Sequence, residues 1–453
     1  MKKALRAYQV EDLAYMINNP RVLNRSEPAT GKTGPACAYL EYVWKYEEGC
    51  SIMLQPKSII RKNYDEILAF TTCFEPDDLF IWDPKKVSKL TRPPKVILTT
   101  ADSLTRHWGL MKALTAKPIK LLVGDEWHLY YSTDESKRTQ FLYQVMREIP
   151  RLLAMTGTAI RGRMDSAYPI IQLIEPRYYG TYQRFIAEHA VISLWDGSIT
   201  GWTNHAKLGR ILLHHGINRT FAECYGKESK CIIPVHIDMT PQQAKVYQEF
   251  HDKAMLELHD EDVLTASSEG VAVIRCRQLL AHPEHMRIAD WKPEHNAKDQ
   301  WLLDEITSQY ETGLVFATLK PEQNRIRAVL EREGLRVAMI NGDVSMTKRA
   351  EIDAKFQRGE IDWIVASPAT AGVGFNWQRA AVVVFTSPSY MDDEIVQAYR
   401  RAIRGVRETP LPIYLPQYTG TVEDRILEIV EEKSRLAAKV DPTREPLTGL
   451  RVP

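Results

Sequence analysis

Short, mostly apolar runs recur along the chain with helix-patterned stretches between them: SIMLQ from Ser51, VILTT from Val96, LLVG from Leu121 and LLAM from Leu152. Apolar runs without polar alternation are the pattern of strands buried on both faces, so this spacing predicts βαβ units and a parallel sheet. The pattern returns later as LVFAT from Leu314, VAMI from Val337, WIVAS from Trp363, VVVF from Val382 and IYL from Ile413. Two α/β units are therefore expected. In the second, Ile326, Val329 and Leu330 form an apolar stripe stopped by Gly334, and Ile352 with Phe356 form another stopped by Gly359, the signature of strand-crossover helices. From about Tyr178 to Lys298 strand runs are sparse, helical stripes prevail and an acidic patch runs from Glu257 to Asp262. This stretch reads as a largely helical insertion, and the Pro-containing segment after Asp441 as a loosely held terminus. The expected fold class is α/β, two parallel-sheet lobes with a helical insertion between them.

Composition narrows the function classes. A length of 453 residues suggests about three structural units, and 44% hydrophobic against 26% charged residues is enough to bury real cores, so disorder is not the default. Lys+Arg 59 against Asp+Glu 58 leaves a net charge of +1, so any nucleic-acid contact must come from a local groove rather than a polybasic surface. Cys37, Cys50, Cys73, Cys224, Cys231 and Cys276 are scattered, which argues against zinc and against a disulfide framework and fits a reducing compartment. The start is interrupted by Arg6, Glu11 and Asp12, unlike a signal peptide, and the longest apolar run, near Ala380 to Phe385, is far too short to span a bilayer. A cytoplasmic protein of a bacterial or phage-infected cell, without membrane contact, is the expectation. The sequon Asn218-Arg219-Thr220 is then read as chance.

Two motifs carry chemistry. Ser26-Glu27-Pro28-Ala29-Thr30-Gly31-Lys32-Thr33 is a phosphate-loop pattern with Ser26 at the position usually held by the first glycine. In such a loop backbone N–H groups point at phosphate oxygens, the following helix offers its positive end, Lys32 supplies a fixed cation and Thr33 can reach Mg²⁺. Downstream, LLVG is followed by Asp125-Glu126-Trp127-His128, two carboxylates beyond the C-terminal end of a buried strand, where open α/β sheets bind ligands. Phosphoryl transfer to water needs Mg²⁺ held near the phosphates and a group that orients the water, roles that suit Asp125 and Glu126. Alone, Gly-Lys-Thr is a common surface turn and an acidic pair a common helix start; together they point to a nucleoside triphosphate.

With these residues in place the chain resembles superfamily 2 helicases and translocases, and in particular their Swi/Snf-like branch. Leu5-Arg6-Ala7-Tyr8-Gln9 resembles the adenine-reading segment, which implies base contacts from Gln9 and Arg6. Thr156-Gly157-Thr158 resembles the motif linking ATP and nucleic-acid sites. In the second unit Ala369 to Asn376 resembles the glycine-bearing motif, with Gly374 in the nucleotide set, and Gln397 to Arg404 the arginine motif. Arg401 and Arg404 are spaced to share one helical face and are implied to be arginine fingers, a task suited to a permanently charged, bidentate guanidinium. Thr30, Gly31, Lys32 and Thr33 complete the ATP-binding set, with Thr33 and Asp125 on Mg²⁺. Gln55-Pro56-Lys57-Ser58 and Thr99-Thr100-Ala101-Asp102-Ser103 resemble strand-tracking loops, so Lys57, Ser58, Thr100 and Ser103, with Thr370 and Asn376 from the second unit, are the nucleic-acid candidates; loop capping by Ser and Thr is the competing reading.

The resemblance implies two RecA-like lobes, 1–184 and 298–438, around ATP, with a helical insertion at 185–297 and a tail at 439–453. It implies a DNA-dependent ATPase that translocates on duplex or branched DNA. A strand-separating DNA or RNA helicase of recombination or repair, and a nucleotide-dependent switch, are the alternatives; protein partners are not legible. The departures are Ser26 for glycine, Ala159 for the proline usual after Thr-Gly-Thr, Arg400 for glycine or aspartate, and Gly405-Val406-Arg407 where Gly-Gln would end the arginine motif. None removes a charge the chemistry needs.

Overall fold

The computed structural model describes residues 2–131, 133–157, 164–226, 229–260, 266–283, 295–371, 374–387, 389–403, 407–440 and 445–452. The chain divides into two compact units, Met1–Lys227 with Leu436–Glu445, and Glu228–Arg435 with Pro446–Pro453.

Unit 1 contains β1 (Arg21–Asn24), β2 (Cys50–Leu54), β3 (Leu79–Ile81), β4 (Val96–Thr99), β5 (Ile119–Gly124), β6 (Arg151–Met155), a hairpin of β7 (Ala190–Ile192) and β8 (Ile199–Trp202), and β9 (Gly216–Ile217). Apart from the hairpin these strands form one parallel sheet in the order β3-β4-β2-β5-β6-β1-β9. The central strands β2, β5 and β6 are mostly apolar because both faces are covered. Ile52, Leu54, Leu122, Leu152 and Ala154 point into one core, while Met53, Leu121, Val123, Leu153 and Met155, their neighbours in sequence, point into the other. The second core seats the helix Thr33–Tyr46 through Ala36, Cys37, Tyr39, Leu40 and Val43. The first seats the helices Ala101–Leu114, Lys137–Glu148, Ala167–Ile174 and His205–His214.

Unit 2 contains β10 (Lys230–His236), β11 (Gly313–Phe316), β12 (Val337–Ile340), β13 (Trp363–Ala366), β14 (Val382–Phe385) and β15 (Leu411–Gln417), a parallel sheet ordered β10-β15-β14-β11-β13-β12. The helices Lys320–Arg332 and Met346–Gln357 end just before Gly334 and Gly359, as the stripes predict.

Two expectations need correction. The stretch 185–297 is not a separate helical piece, since β9 joins the first sheet, β10 joins the second, and the units part at Lys227 and Glu228. β9 has only two residues and β10 is an edge strand interrupted by Pro234, so neither leaves an apolar run to read. Nor is the described end of the chain loose. Leu447 and Leu450 are buried, their N–H groups donate to Ser434 Oγ (2.8 Å) and Glu431 Oε1 (2.9 Å), and Gln417 donates to the Leu450 carbonyl. Among the described residues no helix is long and apolar enough to cross a membrane.

Candidate nucleotide and hydrolysis site

The phosphate-loop residues connect β1 to the helix Thr33–Tyr46 at the C-terminal edge of the first sheet. Ala29 and Gly31 take positive φ (71° and 80°), so the backbone reverses hand twice in three residues, the geometry that turns successive N–H groups toward one anion. Lys32 folds back over the loop, its Nζ donating to the carbonyls of Ser26 (2.5 Å) and Glu27 (3.3 Å). Thr33 begins the helix, which places its hydroxyl at the positive end.

A segment that sequence reasoning passed over supports this loop. Leaving β9, the chain lays Arg219 against it: Glu27 N–H donates to the Arg219 carbonyl (2.9 Å), Arg219 N–H to Ser26 Oγ (3.1 Å) and Phe221 N–H to Glu27 Oε2 (2.6 Å). The Arg219 guanidinium reaches the first helix, Ala7–Asn18, at Asp12 (2.8 Å) and Glu11 (2.8 Å). Ser26 thus has a use for its hydroxyl that glycine lacks. The sequon residues serve here as well, with Asn218 Oδ1 accepting from Arg25 Nε at 2.9 Å.

Gln9 bridges this helix to the loop. Its Nε2 donates to the Gly31 carbonyl (2.9 Å) and its Oε1 accepts from Arg6 N–H (2.9 Å). Tyr8 OH donates to the Thr30 carbonyl at 2.9 Å, and the Arg6 guanidinium lies 4.6 Å from the centre of the Tyr225 ring. Burial first, then the neighbouring Tyr225 hydroxyl, push the Tyr8 hydroxyl well above its ordinary value, so it stays a donor. Arg6, Tyr8, Gln9 and Tyr225 therefore form one aromatic and amide-bearing wall beside the loop. Tyr225 lies too far along the chain for a local motif to have pointed to it.

The carboxylates follow β5. Asp125 N–H continues the ladder to the Leu54 carbonyl (2.9 Å), Asp125 Oδ1 accepts Glu126 N–H (3.1 Å) and Oδ2 accepts Asn63 Nδ2 (3.3 Å). Tyr130 donates to the Asp125 carbonyl, and burial followed by the charges of Asp125 and Glu126 raises that phenol well above its usual range. Glu126 is left-handed at φ 54°, a strained conformation for a residue with a side chain and one that concentrates at functional sites. His128 Nδ1 stands 3.5 Å from Glu126 Oε2 and 2.7 Å from Thr156 Oγ1, which ties the acidic turn to the end of β6. Gly124 has no room for a side chain, since a Cβ there would lie 2.0 Å from Trp127 Cε3. Thr158 and Ala159 lie outside the described residues.

The donor set fits a magnesium ion. Asp125 follows β5, whose Leu121 and Val123 share one core with Ala36 and Cys37 of the helix that Thr33 begins, so hydroxyl and carboxylate come from neighbouring elements. A hydroxyl and a carboxylate are the hard oxygen ligands Mg²⁺ takes when nucleotide phosphates supply the rest. Among the described residues no group of three or more His, Cys, Asp or Glu side chains gathers to hold a metal unaided.

The nucleic-acid candidates are capping groups in part. Thr100 Oγ1 accepts Ser103 N–H (3.3 Å) at the start of Ala101–Leu114, and Thr370 Oγ1 accepts from Ser367 Oγ (2.7 Å). Lys57 is exposed at the start of the turn Lys57–Ile59, with Ser58 half-buried beside it, and Asn376 is exposed after the positive-φ Gly374. The glycine-bearing and arginine motifs meet through the backbone, Trp377 N–H donating to the Arg401 carbonyl at 2.8 Å. The shared helical face expected for the arginine fingers is corrected: the helix Asp392–Tyr399 ends before Arg401, which sits in a tight turn with its N–H on the Ala398 carbonyl (3.1 Å). Arg404 lies outside the described residues. Arg407 is no plain surface charge, since its guanidinium donates to the carbonyls of Ala402 (2.8 Å), Gln378 (3.3 Å) and Ala380 (3.3 Å).

Two family models match the chain. Residues 8–287 match the SNF2-related domain and residues 297–406 the helicase conserved C-terminal domain. The chain is 21% identical to a probable ATP-dependent DNA helicase of Arabidopsis thaliana, with 96% of this chain and 43% of the relative covered. It is 23% identical to a putative ATP-dependent helicase/translocase of Bacillus subtilis, with 66% and 33% covered. The chain spans less than half the length of these curated relatives. The SWI2/SNF2 ATPase core of Sulfolobus solfataricus, solved in complex with dsDNA, is 21% identical with 96% and 92% covered and a TM-score of 0.44.

Proposed function

The chain belongs to the SNF2-related family, and from that premise we propose that it hydrolyses ATP to move along duplex or branched DNA. The observation that carries this reading is the convergence, at the C-terminal edge of one sheet, of the Lys32 loop and the Asp125-Glu126 turn. Phosphate oxygens replace the Ser26 and Glu27 carbonyls as partners of Lys32, a charge-assisted exchange that favours the bound nucleotide. Thr33 and Asp125 would hold Mg²⁺, which would supply neutralisation of charge on the phosphates. Glu126, fixed by its turn and by His128, orients water and accepts its proton. Arg6, Gln9 and Tyr225 receive the base, with Thr30, Gly31 and Gly374 completing the nucleotide set. Arg401 and Arg404 stabilise charge in the transition state.

DNA is the proposed polymer, contacted at its phosphates by Lys57, Ser58, Thr100, Ser103, Thr370 and Asn376, because a motor must pass over any sequence and phosphate contacts do not read bases. The test is ATP hydrolysis with no polymer, single-stranded, duplex or forked DNA, or RNA, each at two salt concentrations. Stimulation strongest with duplex or forked DNA and fading with salt is expected. Stimulation by RNA or single strands alone would overturn the DNA-translocase reading in favour of a strand-separating helicase.

A further inference from the structure

The hairpin β7–β8 is mounted firmly at its base and apolar at its tip. His189, immediately before β7, is buried against Phe185 (ring centres 5.0 Å apart), and Phe185 also meets Trp202 at the end of β8 (6.2 Å). His189 Nδ1 is 3.2 Å from the Thr203 carbonyl and Nε2 2.6 Å from Tyr179 OH. A carbonyl only accepts, so Nδ1 carries the proton and Nε2 accepts from the phenol. Thr203 N–H donates to the His189 carbonyl at 2.8 Å and Asn204 Nδ2 to that of Glu188 at 2.7 Å, so both legs are pinned. At the far end Ser193 N–H donates to the Ser198 carbonyl (2.8 Å), Gly197 N–H to the Ser193 carbonyl (3.0 Å), and Asp196 accepts Ser198 N–H and Oγ–H. This ordered turn holds Leu194 and Trp195 at 106% and 97% exposure.

We propose that Leu194 and Trp195 form a wedge that stacks against, and parts, the bases at a duplex junction in DNA. The proposal rests on the reading of the chain as a DNA motor and adds how it engages a branch. Size argues for it. Five apolar residues of the hairpin are exposed, Val191, Ile192, Leu194, Trp195 and Ile199, where a stable protein interface takes roughly 20–30 residues a side. A tip two side chains wide matches the gap between base steps, into which proteins insert apolar wedges, and an indole face stacks on any base. Residues 190–203 contain no Lys or Arg and one carboxylate, Asp196, so the hairpin is not built to grip phosphates and any contact with DNA is through the apolar tip. Rigidity completes the case, because a pinned hairpin loses little conformational freedom when it enters the stack. It also grows from the core that seats Ala101 and Leu104, the start of the helix capped by Thr100.

The experiment uses the full chain and forked DNA carrying 2-aminopurine at the first paired position, whose emission rises when the base unstacks. The parent protein is expected to raise emission several-fold on the fork and little on blunt duplex. The double variant L194S/W195S should lose most of that rise while its fork affinity, its blunt-duplex-stimulated turnover and its melting temperature stay near the parent's; W195F should keep the rise. An equal rise with the double variant overturns the wedge. So does a parent that dimerises through this tip, seen as a dimer in sedimentation that the double variant abolishes with emission unchanged. If the parent binds and hydrolyses on DNA with no rise, the wedge alone falls; if it binds no DNA, the motor reading falls and takes the wedge with it.

Discussion

Ser26 Oγ accepts the backbone N–H of Arg219 at 3.1 Å, joining residues 193 apart in sequence. The departure from glycine is therefore a support for the loop. A buried donor deprived of its acceptor costs about 1–3 kcal/mol, so Ser26→Ala and Ser26→Gly should both lower the melting temperature and weaken ATP binding a few-fold. Thermal melts with and without a fluorescent ATP analogue check this; a Ser26→Gly variant indistinguishable from the parent would show the contact to be incidental.

Lys32→Ala should abolish turnover and weaken nucleotide binding. Its two carbonyl contacts are internal to the loop, so the melting temperature without nucleotide should move little. A collapse of the apo protein would mean that the lysine serves the fold first.

Glu126 separates stability from chemistry. Glu126→Gln should bind ATP as the parent does and hydrolyse it at least 100-fold more slowly, on the order of the 10²–10⁴ that a positioned base contributes. Glu126→Gly should be equally inactive yet melt no lower than the parent, because glycine relieves the φ of 54° at a cost otherwise of about 1 kcal/mol. Calorimetry beside single-turnover hydrolysis reads both, and a strongly destabilised Glu126→Gly would remove the case for strain.

Much of this site was legible in the chain because phosphate chemistry needs particular residues at particular spacings. Asp125 and Glu126 follow β5, a strand whose apolar run is equally plain. What stayed hidden came from afar or was too brief to pattern. Arg219 and Tyr225 return to the loop from some 200 residues away, and β1, with Arg21 and Asn24 among its four residues, has no apolar run. Helical periodicity also misled at Arg401, where arginine spacing continued past a helix that the tight turn at Arg400 and Arg401 had ended.

The arginines of this run are not equivalent. Arg401→Ala and Arg404→Ala should each bind ATP within a few-fold of the parent and lose on the order of 10³ in turnover, the scale of an arginine finger. Arg407→Ala leaves carbonyls of Gln378, Ala380 and Ala402 without their donor and should lower the melting temperature instead. Turnover per folded molecule, corrected by active-site titration, distinguishes the two; uniform mild losses would make all three surface charges.

The hairpin base makes stability depend on pH. Burial, only partly opposed by the Thr203 carbonyl and the charge of Glu188, lowers the His189 pKa below 6.5, with Lys207 and His205 acting in the same direction as burial. The folded state thus holds the imidazole neutral, in keeping with an Nε2 that accepts from Tyr179. Between the folded and unfolded pKa values the unfolded chain binds the extra proton. Stability is therefore full above about pH 6.5 and falls as pH drops below it, by at most about 1.4 kcal/mol per unit for this one group. Burial lowers His205 and His215 as well, so the parent slope is a sum. His189→Gln keeps a donor and an acceptor but cannot titrate, and should remove one share of the slope between pH 6.5 and 5 without changing the melting temperature at pH 8 by more than the packing loss. Melts of parent and variant across that range test it; parallel curves would mean that His189 is protonated in the fold and that the tautomer assigned at the hairpin base is wrong.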